Sequence, residues 1–82
     1  MDKSLLLTVT TPGGVLVNAE VESVSFPGTE GAFTVLSSHA PLIASLESGD
    51  IVYVVGNESQ RQSIKGGFVR VLNNKVEACI EV

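Results

Sequence analysis

The sequence is poor in the residues that most chemistry needs. Its 82 residues include no tryptophan, one tyrosine, three phenylalanines, one methionine, one histidine and one cysteine. A single cysteine, Cys79, excludes an internal disulfide and suits a reducing compartment. One histidine and one cysteine cannot furnish a typical zinc site, so no metal or other cofactor is expected. Basic residues are also few: five against nine acidic ones, a net charge of −4 with no Lys/Arg run. That balance excludes a phosphate-backbone reader and direct binding to anionic lipid. No apolar run approaches the roughly 20 residues of a spanning helix. Leu5-Leu6-Leu7 after Lys3 is too short for a signal peptide and is broken by Thr8, Thr10 and Thr11. Neither a nucleic-acid partner nor direct membrane insertion is expected, and a place at a membrane would have to come from other proteins.

Apolar residues still make up 44% of the chain, enough for a core, and with 5% aromatics the packing falls to valine, leucine and isoleucine. The length suits one domain, residues 1–82, which buries only about 60–65% of its unfolded surface. Valine favours strands. Leu5, Leu7 and Val9 alternate with Leu6, Thr8 and Thr10 as in a half-buried strand. Thr11-Pro12-Gly13-Gly14 turns the chain into a second strand from Val15 and Val17, which Asn18-Ala19-Glu20 is expected to bend or bulge. Val21, Val24 and Phe26 run extended toward Pro27-Gly28, read as a type II turn with glycine at positive φ. Ala32–Leu36 is a short strand, and Leu42, Ile43 and Leu46 belong to another. Ser45 to Gly49 turns the chain again. Ile51-Val52-Tyr53-Val54-Val55 is apolar on both parities and reads as buried on both faces. Gly56-Asn57-Glu58-Ser59 reads as a hairpin loop, Gln60 to Ile64 as a polar edge strand, and Gly66-Gly67 as a bulge or a close backbone approach.

The last hairpin can be written pair by pair. With Asn73-Asn74 as a two-residue turn, Leu72 faces Lys75, Val71 faces Val76, Arg70 faces Glu77, Val69 faces Ala78 and Phe68 faces Cys79. One face then carries Val69, Val71, Val76, Ala78, Ile80 and Val82. The other carries an Arg70–Glu77 ion pair, with Phe68 and Cys79 as either a packed second face or a partner-facing apolar patch. No stretch keeps a helical period. The expectation is an all-β, two-sheet β-sandwich with both termini at the surface.

Catalytic signals are thin. Ser38-His39 are neighbours in sequence, which is not the convergent geometry of a triad. Glu20 and Glu22, placed in one strand, share a face as a solvated acidic pair, and Glu77 and Glu81 lie in another strand. Gly13-Gly14 and Gly66-Gly67 lack the lysine and Ser/Thr of a phosphate loop. No catalytic residue is expected. The densest stretch runs from Phe26 to Ile43, with two of the three prolines, two of the eight glycines and the single histidine. Glu30 sits there between Gly28 and Gly31 on a solvated loop.

Pro27-Gly28-x-Glu30-Gly31-x-Phe33, followed by Val35-Leu36-x-x-His39-Ala40-Pro41-Leu42, resembles the N-terminal β-sandwich domain of the epsilon subunit of F-type ATP synthases. Thr11-Pro12-Gly13-Gly14, Leu46 with Gly49, Ile64-Lys65-Gly66-Gly67-Phe68 and Asn74-Lys75-Val76 extend the likeness over essentially the whole chain. The sequence departs from the family at Thr34 and Ser37, where glycine and proline are frequent. The resemblance implies a sandwich of about ten short strands. It implies a noncatalytic subunit of the central stalk, or rotor, at the cytoplasmic face of the bacterial plasma membrane. Its implied partners are the gamma subunit and the c ring. The loop of Gly28, Thr29, Glu30, Gly31 and Ala32 is expected to meet the c ring, and His39, Ala40, Pro41 and Leu42 the gamma subunit. The family generally continues into two C-terminal helices, whereas this sequence stops at Val82, so no role of those helices is expected of it. Two rival readings are a biotinyl or lipoyl carrier domain, with Lys75 beside the hairpin turn, and a free-standing ligand-binding sandwich. The carrier reading lacks the Met-Lys-Met or Asp-Lys-Ala flanks.

Overall fold

The computed structural model describes residues 4–82. Nine strands follow one another: β1 (Leu5–Thr11), β2 (Gly14–Val21), β3 (Ser23–Phe26), β4 (Phe33–Leu36), β5 (Leu42–Leu46), β6 (Gly49–Val55), β7 (Glu58–Ile64), β8 (Gly66–Leu72) and β9 (Lys75–Glu81). They form two sheets, one of five strands in the order β2-β1-β9-β8-β5 and one of four in the order β4-β3-β6-β7. The all-β two-sheet sandwich is therefore as expected, with nine strands among the described residues where about ten were anticipated. The carboxyl end, Val82, is at the surface. The first three residues, and with them the expected surface position of the amino end, lie outside the described residues.

Alternation explains the core. Leu5, Leu7 and Val9 from β1, Val69 and Val71 from β8, and Val76, Ala78 and Ile80 from β9 point inward from the five-stranded sheet. Val24, Phe26, Val35, Ile51 and Ile64 meet them from the other sheet, and no polar or charged residue is buried among the described residues. Phe26 stacks at a tilt on Phe33, ring centroids 5.6 Å apart, within the favoured range for aromatic pairs. The β8–β9 hairpin has the anticipated register from Leu72↔Lys75 to Phe68↔Cys79. Asn73 and Asn74 both have positive φ (51° and 62°), the signature of a type I′ turn. Arg70 donates to Glu77 across that pair on the solvent side, and the hydrogen bond, followed by the charge of Glu77, raises the guanidinium pKa further. Gly67 (φ 143°) lies against the β9 backbone: a Cβ there would stand 2.2 Å from the Cys79 carbonyl oxygen.

Several local expectations are corrected. Val82 lies past the last strand and is 58% exposed, so the buried row ends at Ile80. The irregularity in β2 falls at Leu16, because Val9 faces Val17 while Thr10 faces Val15, leaving Asn18–Glu20 in regular pairing. Glu22 lies between β2 and β3, not beside Glu20 in a strand. The β6–β7 turn is only Gly56-Asn57, since Val55 already pairs with Glu58 and Ser59 with Val54. In β6 only Ile51 is buried. Val52 and Val54 face Ser25, Arg61, Ser23 and Ser59 on a sheet face that no layer covers, which leaves them half-buried. Gly28 does not adopt positive φ. It is a glycine for space, because a Cβ would stand 2.6 Å from the Gly31 carbonyl oxygen and 2.9 Å from the Phe33 ring. The turn falls two residues later, closed by Gly31 N–H donating to the Gly28 carbonyl (3.0 Å) with Thr29 and Glu30 at its centre.

Candidate functional site

The loop between β3 and β4 is anchored on β5, the edge strand of the opposite sheet. Gly28 bridges to Leu46, Thr29 N–H donates to the Ser45 carbonyl (3.1 Å), and Glu47 N–H donates to the Pro27 carbonyl (2.8 Å). The Thr29 and Ser45 hydroxyls meet at 2.7 Å. These bonds carry the loop across from the four-stranded sheet and partly satisfy an edge that would otherwise stay open. Glu30 consequently stands exposed at the tip of a loop held at both ends.

The turn between β4 and β5 is built differently. His39 N–H donates to the Leu36 carbonyl (3.2 Å), closing a turn whose third residue, Ser38, has φ 66°. Ser38 N–H is taken by the Asn74 side-chain oxygen at 2.6 Å. The His39 Nδ1 lies 2.7 Å from the Ala40 carbonyl, which can only accept, so Nδ1 carries the proton. In the neutral ring Nε2 is then left as the acceptor.

The two loops share one cleft of about 580 Å³, lined by Gly28, Thr29, Glu30, Gly31, Phe33, His39 and the β5 segment from Leu42 to Ser45. Of the loop residues expected to meet the c ring, only Ala32 falls outside its lining. Of those expected to meet gamma, His39 and Leu42 line it, while Ala40 and Pro41 are exposed beyond it. Phe33, Ile43, Ala44 and Ser45 were not foreseen as part of the site. Ile43, 75% exposed on an edge strand, is the one whose hydrophobicity could have signalled it. Ile43 also borders a second depression of about 420 Å³ on the outer face of the five-stranded sheet, with Thr8, Thr10, Phe68, Arg70, Glu77 and Cys79. Phe68 is 54% exposed there. Among the described residues no three His, Cys, Asp or Glu side chains gather as a metal site would need, and no helix is long and apolar enough to cross a membrane.

A hydrophobic core, two loops pinned around an open cleft and an adjoining sheet face that mixes Phe68 and Ile43 with the Arg70–Glu77 pair define a small β-sandwich domain. The family model for the ATP synthase, Delta/Epsilon chain, beta-sandwich domain matches residues 4–81, and the chain belongs to that family. The ATP synthase epsilon chain of Nitratidesulfovibrio vulgaris (strain DP4) is 37% identical over 81 residues, covering 99% of this chain and 60% of that protein. The ATP synthase epsilon chain of Carboxydothermus hydrogenoformans is 41% identical over 76 residues, 93% of this chain and 57% of that one. The chain thus spans about 60% of the length of such curated relatives. A chain of the Euglena gracilis mitochondrial ATP synthase, from a cryo-EM structure of its OSCP/F1/c-ring, superposes with a TM-score of 0.89 at 23% identity. The match covers 98% of this chain and 52% of that one and shows the same fold. A chain of the Tetrahymena thermophila mitochondrial ATP synthase central stalk/c-ring gives a TM-score of 0.80 at 19% identity, over 95% and 63% of the two chains.

Proposed function

We propose that this chain acts as the sandwich part of a noncatalytic epsilon subunit in the central stalk of a proton-translocating F-type ATP synthase. It would sit at the cytoplasmic face of the bacterial plasma membrane, held by the gamma subunit and the c ring. The observation that carries this reading is the family match over residues 4–81, at a sequence identity to named epsilon chains well above chance likeness of fold. Family membership also takes the place of the carrier and ligand-binding readings. The physical role is coupling: a nine-stranded sandwich resists shear through its cross-strand hydrogen bonds and transmits rotation while doing no chemistry itself.

In this reading the exposed Glu30 pairs with basic groups on the c-ring loops, a rim contact of about 0.2–1 kcal/mol that salt would weaken. His39 and Leu42, with the apolar cleft wall, meet the gamma subunit, where burial gives most of the affinity. Because both sets border one cleft, the two partners would approach each other across it. The test is a pair of substitutions in reconstituted enzyme. Glu30→Lys should lower proton-driven ATP synthesis and leave gamma affinity nearly intact, whereas His39→Ala should weaken gamma binding first. Loss of gamma binding in Glu30→Lys, or unchanged gamma affinity in His39→Ala, refutes the assignment of surfaces.

A further inference from the structure

Two residues near the cleft are locally unfavourable choices. In a type I′ hairpin turn the second central position favours glycine, and Asn-Gly is the strongest pair, yet position 74 holds asparagine at φ 62°. In the turn from Leu36 to His39, the third residue has positive φ, where glycine or asparagine is favoured, yet position 38 holds serine at φ 66°. Thirty-six residues apart in sequence, these two are joined by one hydrogen bond, Ser38 N–H to Asn74 Oδ1 at 2.6 Å. Glycine at 74 would serve the hairpin equally well and could not make that bond. The Asn74 main chain is engaged too, its carbonyl accepting from Leu6 N–H at 2.9 Å, which ties the turn to the start of β1.

We propose that Asn74 is a positioning residue: its side chain sets the conformation of the Ser38–His39 turn and so the direction in which His39 meets its partner. The chain of contacts is short. Asn74 is fixed by its hairpin and by Leu6. Its amide oxygen takes the N–H that a left-handed serine presents, and the next residue is His39, whose N–H closes the turn on Leu36 and whose Nδ1–H is held by Ala40. Orientation of the histidine therefore depends on a residue from a different hairpin that does not line the cleft. That His39 is used in partner contact rests on the function proposed above, while the holding of the turn does not.

The experiment compares Asn74→Gly with Asn74→Asp in this chain. Glycine keeps the φ of the hairpin and removes the acceptor, and aspartate keeps an acceptor and tolerates left-handed φ. Amide hydrogen exchange at Ser38 and binding of the purified gamma subunit are both measured. In Asn74→Gly the Ser38 amide is expected to exchange roughly two- to tenfold faster. Val71 and Val76 should stay protected and gamma affinity should fall, and Asn74→Asp should restore both readouts. Unchanged exchange at Ser38 overturns the proposal. So does faster exchange with intact gamma affinity, where His39→Ala in the same assay loses affinity. If His39→Ala has no effect on gamma binding, the functional reading fails instead, and exchange at Ser38 alone decides whether Asn74 holds the turn.

Discussion

Replacing Gly67 by alanine should be among the most damaging single-methyl changes available in this fold. The residue has φ 143°, in a region that L side chains rarely adopt, and its added Cβ would lie 2.2 Å from the Cys79 carbonyl oxygen and 2.8 Å from the Ile80 Cα. Both obstacles are backbone, so no side chain can rotate away. The conformational cost alone is of order 1–3 kcal/mol. Restoring an ordinary separation moves β9 from β8 by about 1 Å and disturbs one or two ladder hydrogen bonds, at about 1 kcal/mol each. The sum, about 2–5 kcal/mol, is a large part of the roughly 4–12 kcal/mol that a domain of this length possesses. At about 4–8 °C per kcal/mol for domains of 60–100 residues, the melting midpoint should drop by at least about 8 °C. Gly66→Ala is the internal control. Its Cβ would meet only the Leu46 carbonyl oxygen, at an ordinary 3.5 Å, without positive φ, so its midpoint should stay close to the parent. Thermal melts followed by far-ultraviolet circular dichroism read both. A Gly67→Ala protein melting within a few degrees of Gly66→Ala would refute the close-approach reasoning.

Leu7→Ala removes a fully buried side chain from a strand flanked on both sides and should cost about 2–5 kcal/mol in urea unfolding. A cost below about 1 kcal/mol would mean that the core collapses around the gap. Glu77→Gln breaks the solvent-exposed pair with Arg70 and should leave the melting curve unresolved from the parent. The sign of its pH dependence follows from the raised Arg70 pKa: any stabilisation is complete below the unfolded arginine value and is lost only as pH rises through the folded one. Between pH 6 and 9 the pair should therefore add no slope to stability, and a Glu77-dependent slope measured there would contradict it.

Period-two alternation made β1 and the β8–β9 hairpin readable, because a half-buried strand writes its burial into residue parity. The Asn73-Asn74 turn fixed the register, since two-residue loops leave little freedom. Parity failed for β6, where Val52 and Val54 carry a buried-looking pattern on an uncovered face. Whether a second layer covers a sheet is a tertiary fact that no local run encodes. Pro27-Gly28 misled for a related reason: a glycine required by the nearby Gly31 carbonyl and Phe33 ring looks in sequence like one required by φ. Parallel pairing of β1 with β9 left no trace, its partners Leu7 and Val76 being remote along the chain. Glu30 and His39 stood out as chemistry-bearing residues in a loop-rich stretch. That their loops border one cleft depends on the crossing of β5 to the other sheet; Ala44 and Ser45, ordinary strand residues, gave nothing to find them by, and Phe33 was legible only as the end of the Pro27–Phe33 motif.

The parallel β1–β9 pair has a consequence for how the chain becomes a protein. β9 is not an edge strand: it stands at the middle of the five-stranded sheet, between β1 and β8. On the ribosome, β1 and β2 can form their hairpin early, but β1 lacks its neighbour on the other side until β9 has emerged. Closing the sheet then joins segments remote along the sequence, the kind of non-local pairing that slows folding. Nascent chains halted before β9 should accordingly be sticky intermediates, sensitive to protease and prone to capture by chaperones. Addition of β9 would join the β2-β1 pair to the β8-β5 pair in one sheet.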